Sequence, residues 1–326
     1  MLPNLEKKLR THILIEFINT SVSGDAMQFL TEDKNTIMEK HGIIPNVNLY
    51  YGCLFNELKN MSPNKNGDYI INSNIFYDID KCPFSTVYIK IHHEHINSTQ
   101  IFASGGYSPT QSNTLNEDGK IPLKMIFNIK CDIKYLLNGI KSIFIHELTH
   151  AYEDYCRIKN NRQSLSNKIV NSNYKNLKGN WNFNSIEGYI DSICYMFSSM
   201  EANAYVQSFM GEMELNIRHC KTSNDVYQLA KNTFIWTQLK RCECGIYKLL
   251  ETPKLGKEAE NEILMYWANA TGERFKTFNQ LKRIIKGKYL KRCNHMINQI
   301  SKICYDMYIE NGEKNTIPSN MTFNIN

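Results

Sequence analysis

Apolar residues recur at helical spacing in the first 45 residues, in "LEKKLRTHILIEFI" and "AMQFLTEDKNTIMEKHG", with Gly42 closing the second segment. Recurrence every three or four residues marks one buried face, so two helices are predicted there. From Val47 to about Ile129 the texture changes. "VNLYYGCLF", "DYIINSNIFYDI", "TVYIKIHHEHI", "TQIFASGGY" and "LKMIFNI" are short, β-branched and aromatic, set apart by Pro, Gly, Asn and Ser. They read as strands, with "HINSTQ" as a hairpin turn between the third and the fourth. After Cys131 helical spacing resumes almost to the end, in "SNDVYQLAKNTFIWTQLKRCECGIYKLL" and in a long segment from Phe275 to about Ile309. No internal repeat is visible. The pattern predicts an α+β chain: N-terminal helices and a mixed sheet over 1–130, then a mainly helical part over 131–326, joined as one integrated unit.

One segment departs from this pattern. From Asn160 to Asn184 there are nine asparagines in 25 residues and few apolar anchors. It reads as a polar insertion, either a loop that lies over a nearby site or an unrelated surface excursion.

Just before it stands "SIFIHELTHAYEDY", Ser142 to Tyr155. Asn138 is positioned to cap a helix running through Ile158, on which Ile140, Phe144, Leu148, Ala151 and Tyr155 form one apolar stripe. At about 100° per residue, His146 and His150 lie roughly 40° apart, and Glu147 lies about 60° beyond His150. The helix is therefore anchored by one face and presents His-Glu-His on another. Two imidazoles one turn apart can reach a single tetrahedral Zn²⁺ and leave room for a third ligand and a water. Zinc makes that water acidic, and a carboxylate beside the metal but not bound to it can take the proton and pass it to a leaving amine. The competing reading is a His pair that is exposed or bonded internally.

Composition narrows the remaining classes. With 326 residues the chain has ample apolar content for a core. Its 38 basic and 32 acidic residues give +6, well short of a nucleic-acid-binding balance. The cluster "LKRIIKGKYLKR", reaching from Lys282 to Arg292, reads as a solvated helix face more readily than as a binding surface. No run approaches the length of a membrane helix, and "MLPNLEKKLRTHILIEFINTSV" lacks the features of a secretion signal. The expectation is a cytoplasmic protein that does not insert into membranes. Ten scattered cysteines without a CxxC fit reduced thiols; "CEC" at Cys242 and Cys244 is too tight for zinc. In "HHEH", His93 and His95 would share a strand face while His92 points away, which disfavours a second metal site.

"HELTHAYEDY" resembles the active-site helix of the HExxH zinc metallopeptidases, and "HELTHA" followed by an Asp-Tyr pair is similar to the thermolysin-type glutamate-zincins. The resemblance implies that His146 and His150 bind one zinc per chain, that Glu147 is the general base, and that a later helix supplies the third ligand. It also implies a zincin-like fold and a peptide or protein substrate. No HxxGxxH continuation follows, so a distant glutamate is the expected ligand. Glu187 in "EGYID" and Glu201 in "MEANAYVQSF" both fall in the next helical stretch, taken here as one helix. Glu201 is favoured, because a carboxylate among Phe197, Met200 and Ala204 needs a partner; Glu187, near a helix start, has an ordinary dipole reason to be there. Asp154, four residues after His150, is either an acceptor that orients a ligand or a solvated carboxylate. An oxyanion stabiliser is expected among Tyr205, His219 and Tyr152, and "ASGGYSP" offers an edge strand for a substrate peptide. The sequence thus points to a zinc metallopeptidase, with a non-catalytic component of a larger assembly as the alternative. Oligomeric state and cleavage specificity are left open.

Overall fold

The computed structural model describes residues 44–45, 47–97, 101–133, 136–166, 183, 185–198, 201–253 and 255–315. The two helices expected before Gly42, the last three residues of "HINSTQ" and most of the asparagine-rich insertion lie outside them. The described chain is α+β, with a four-stranded mixed sheet and a mostly helical remainder.

It begins with α1, Val47–Lys59, where a strand was expected. "VNLYYGCLF" carries strand-forming residues, but Val47, Tyr50, Leu54 and Leu58 are the buried ones, and that spacing is helical. Strands β1 (Asp68–Asn72), β2 (Phe84–His95), β3 (Phe102–Tyr107) and β4 (Ile121–Cys131) follow. β4 alternates perfectly, burying Ile121, Leu123, Met125, Phe127, Ile129 and Cys131 on one face. That face packs onto the long helix α2, Leu136–Lys159. Leu136 extends the apolar row of Ile140 and Phe144 by one turn, so the helix starts ahead of Asn138 instead of being capped by it. It ends with Asn161 in the left-handed conformation, the Arg162 N–H returning to the Arg157 carbonyl at 2.8 Å.

The sheet order is β1-β2-β4-β3. β2 therefore runs parallel to β4, β3 runs antiparallel to it, and the two are not a hairpin. The long alternating β4 gains hydrogen bonds on both sides, and the short, exposed β3 is left at the edge.

The helical half holds α3 (Ile186–Met196), α4 (Glu201–Asn216), α5 (Ser223–Asn232), α6 (Phe234–Glu251), α7 (Lys257–Thr271), α8 (Phe278–Ile284) and α9 (Leu290–Asn315). One apolar cluster runs from Ile44 through the sheet and α2 to Tyr308. No helix among the described residues is long and apolar enough to cross a membrane. The expected basic face is partly consumed by the fold: Lys282 donates to the Thr252 carbonyl, Lys288 pairs with Glu273 and Arg292 donates to the Phe197 carbonyl.

Two glycines set how closely the layers approach. At Gly211 a Cβ would lie 2.7 Å from Ile145 Cδ1, so its absence lets α4 close onto α2. At Gly105 a Cβ would run into the Phe127 ring and come within 3.0 Å of the Ile126 carbonyl oxygen, a backbone atom with little room to yield. Nothing lies within 4 Å of the corresponding position at Gly106. Gly105→Ala should cost about 1–3 kcal/mol in urea unfolding, whereas Gly106→Ala should be neutral or gain up to about 1 kcal/mol. Equal effects would refute this account of the edge.

Glu212 ties α4 to its surroundings, accepting from Ser142 Oγ at 3.3 Å and from the Phe234 N–H at 2.6 Å. Burial pushes its carboxyl up to about 7 against those bonds. A folded value above the unfolded one stabilises the fold at low pH, and the contribution is lost as pH rises from about 4.5 through about 7. The melting temperature of Glu212→Gln, relative to the unsubstituted protein, should therefore climb between pH 5 and pH 8. Parallel curves would remove Glu212 from this role.

Candidate metal centre

The α2 stripe of Ile140, Phe144, Leu148 and Ala151 is fully buried, which fixes the rotation of the helix and turns His146 and His150 towards α4. α4 runs antiparallel to α2, and a ladder of polar contacts holds the pair. Asn203 Nδ2 donates to Glu153 Oε1 at 3.1 Å, Ser208 Oγ donates to the Ser142 carbonyl at 3.3 Å, and Lys141 Nζ meets Glu214 Oε2 at 3.0 Å. Within this ladder Glu201 Oε2 lies 3.1 Å from His146 Nε2 and 3.5 Å from His150 Nε2.

Glu201 does not sit mid-helix. The expected single helix breaks at Phe197–Ser198, and Glu201 opens α4, its N–H donating to Ser198 Oγ at 3.1 Å. Glu187 is exposed in the first turn of α3, outside the cluster. His146, His150 and Glu201 form a group that can hold a metal ion, with their donor atoms within 4.8 Å of one another. It is the only such group among the described residues. His92 is instead bonded to Asp68 at 2.9 Å and His93 to the Cys131 carbonyl at 3.0 Å. All ten cysteines are free thiols.

The donor set fits a cation on two counts. Four-coordinate zinc with N and O ligands at about 2.0–2.1 Å places neighbouring donors about 3.3 Å apart, between the two observed separations. The second count is the tautomer. Ser208 spends its proton on the Ser142 carbonyl, so His146 Nδ1, 3.2 Å from Ser208 Oγ, must be the donor of that pair. With Nδ1 donating to Ser208, Nε2 is the nitrogen that faces Glu201 Oε2: as a lone pair it is a metal ligand, and as an N–H it bonds the carboxylate in the absence of an ion. No Lys or Arg among the described residues pairs with Glu147 or Glu201. Burial would raise the Glu201 carboxyl, but hydrogen bonds from His146 and His150 hold it well below the usual carboxylate range. Burial pulls His150 down, and Glu201, Glu147 and Glu153 outweigh it, pushing the imidazole up to about 9. Without an ion an imidazole proton balances the Glu201 carboxylate, and a bound cation would take that proton's place.

Glu147 stands beside this group. Its Oε2 accepts the Tyr107 N–H at 2.7 Å, a contact 40 residues away in sequence that the sequence did not signal. Tyr205 lays its ring 4.8 Å from that of His146. Tyr195 hydrogen-bonds Glu201, and burial together with the Glu201 and Glu147 carboxylates raises its phenol far above the ordinary value. It stays protonated as a donor. Of the expected oxyanion candidates, Tyr205 is at the site, His219 is exposed in a turn beyond α4, and Tyr152 packs beside Tyr155. Tyr195 was hidden by the helix break that separates it from Glu201.

Asp154 is neither a solvated carboxylate nor a partner of His150, whose Nδ1 is buried without a hydrogen bond. It is fully buried and accepts from Tyr107 Oη at 2.9 Å and from the Leu165 N–H at 2.7 Å.

No protein-family model, curated protein or solved structure matches the chain.

Zinc titration should rank the variants by their place in this geometry. Glu201→Ala should abolish tight binding, Ser208→Ala should weaken it about 10–100-fold, and Glu187→Ala should leave it unchanged. Loss of zinc from Glu187→Ala with retention by Glu201→Ala would reverse the assignment.

Proposed function

We propose that the chain is a zinc-dependent metallopeptidase of the glutamate-zincin type, with His146, His150 and Glu201 holding the metal and Glu147 as the general base. The observation that carries this reading is the placement of Glu147. Its carboxylate is adjacent to the donor group but outside it, tethered to the end of an edge strand. A site that only stored a metal would have no use for a second, non-ligating carboxylate in that position.

The edge strand supports peptide as the substrate. The Ser108 N–H donates to the Lys124 carbonyl of β4 at 2.8 Å, whereas the Tyr107 N–H points the other way, to Glu147. By the alternation of an antiparallel ladder, Ala103 and Gly105 also turn their N–H and C=O to the free side. Both are exposed. An extended peptide pairing with that row would be aligned along β3 and led to Glu147.

A zinc ion held there supplies Lewis acidity towards water and the scissile carbonyl. Glu147 takes the proton of the attacking water, and the same carboxyl hands it to the departing amine. Tyr195 and Ser208 orient Glu201 and His146. Ala103 and Gly105 hold the substrate backbone.

Elemental analysis beside cleavage of a mixed-sequence quenched fluorescent peptide pool tests this. Glu147→Gln should keep about one zinc per chain and lose roughly 10²–10⁴-fold in rate. A zinc-loaded protein that cleaves nothing, with or without Glu147, would point to a binding component instead.

A further inference from the structure

Tyr107 makes two contacts with α2. Its backbone N–H is held by Glu147 Oε2 and its hydroxyl by Asp154 Oδ2. These two carboxylates are seven residues apart, two turns and about 10.5 Å along the axis. Tyr107 therefore lies along the helix as a strut, one end on the base and the other on Asp154. Asp154 also gathers the segments on either side: the Leu165 N–H reaches its Oδ1, a backbone group of Thr110 bonds it, and close by Ser164 N–H donates to Asn113 Oδ1. The edge strand, the loop after it and the chain leaving α2 all meet at this carboxylate.

A fully buried Asp that forms no salt bridge among the described residues is costly to keep. Arg157, the nearest cation on its own helix, gives its Nε–H to the Gln163 carbonyl. An apolar residue would fill the space at lower cost if filling it were all that was required. What an apolar residue cannot do is hold a tyrosine hydroxyl in one place.

Resting on the peptidase reading above, we propose that Asp154 is a positioning residue for the general base: by fixing the Tyr107 hydroxyl it keeps the Tyr107 amide on the Glu147 carboxylate. The amide occupies Oε2, which leaves Oε1 as the oxygen free to receive a proton. It also sets the rotamer of Glu147 against the donor group. Release of the hydroxyl frees the end of β3 and lets the carboxylate swing.

The test uses the full chain selectively labelled with ¹⁵N-tyrosine, in metal-free form and loaded with zinc chloride. The Tyr107 amide signal is assigned by its absence from Tyr107→Phe. In the unsubstituted protein it should exchange slowly with deuterium. Asp154→Ala should speed that exchange at least about tenfold, as Glu147→Ala should, with the Tyr152 and Tyr205 amides unaffected. Zinc content should stay at the unsubstituted level. For the peptide that the protein cleaves fastest, Tyr107→Phe and Asp154→Ala should lower kcat about 10–100-fold, with KM within about twofold. Asp154→Asn, which retains an acceptor for the hydroxyl, should recover most of the lost rate.

A Tyr107 amide that stays protected in Asp154→Ala overturns the proposal. So does an unchanged kcat in Tyr107→Phe, or a change confined to KM. Should Asp154→Ala fail to fold, Tyr107→Phe and Asp154→Asn carry the kinetic test. Absence of all peptide cleavage would remove the peptidase reading, while the exchange measurement still decides whether Asp154 holds the amide on Glu147.

Discussion

Two imidazole nitrogens and a carboxylate oxygen converge in a buried space with no lysine or arginine among the described residues paired to the carboxylate, and the rest of the molecule is arranged to keep them there. Such a set is presented to an ion only if the backbone elements beneath it are fixed independently, because in the ion's absence Glu201 bonds the imidazoles themselves. The contacts between α2 and α4 provide that support from outside. Lys141 with Glu214, and Ser142 with Glu212, clamp the far end of the helix pair, and Asn203 with Glu153 clamps the near end. Gly211 leaves room for the Ile145 side chain where the two helices meet. The site is therefore assembled by packing among groups that lie outside the donor set.

Local chemistry was legible in the sequence and long-range chemistry was not. His146, Glu147 and His150 lie within five residues, and helical periodicity alone gives their relative directions. Glu201 was reachable by a burial argument, a carboxylate among apolar neighbours, even though its supposed setting in the middle of a helix was wrong. The break at Phe197–Ser198 has no Pro or Gly to announce it. "VNLYYGCLF" misled because residue type suggested a strand while the spacing of its buried positions was helical, and spacing is the stronger physical signal. The supposed hairpin at "HINSTQ" failed for a related reason: strand neighbours are decided by which strand gains most from two partners, and β4, central and strictly alternating, lies between β2 and β3.

The edge strand shows how one constraint serves two ends. Gly105 is needed because the Phe127 ring and the Ile126 carbonyl crowd it, and that close approach brings Tyr107 within reach of Glu147. The same residue leaves its outward N–H and C=O unobstructed. Packing on one side follows from the missing side chain, and the outward row on the other from the alternation of the ladder.

Asp154 is the instructive miss. Its four-residue offset from His150 suggested a ligand partner, since an i, i+4 pair shares a helix face. At about 100° per residue, however, Asp154 lies about 40° from His150 but only about 20° from Glu147. The seven-residue spacing of two carboxylates was thus the closer alignment, and it placed Asp154 in line with Glu147. Like charges two turns apart on one face do not stabilise a helix, so their alignment called for a third group able to donate to both. A tyrosine that uses its backbone at one end and its hydroxyl at the other meets that requirement, and only the fold of β3 against α2 could reveal which tyrosine it is.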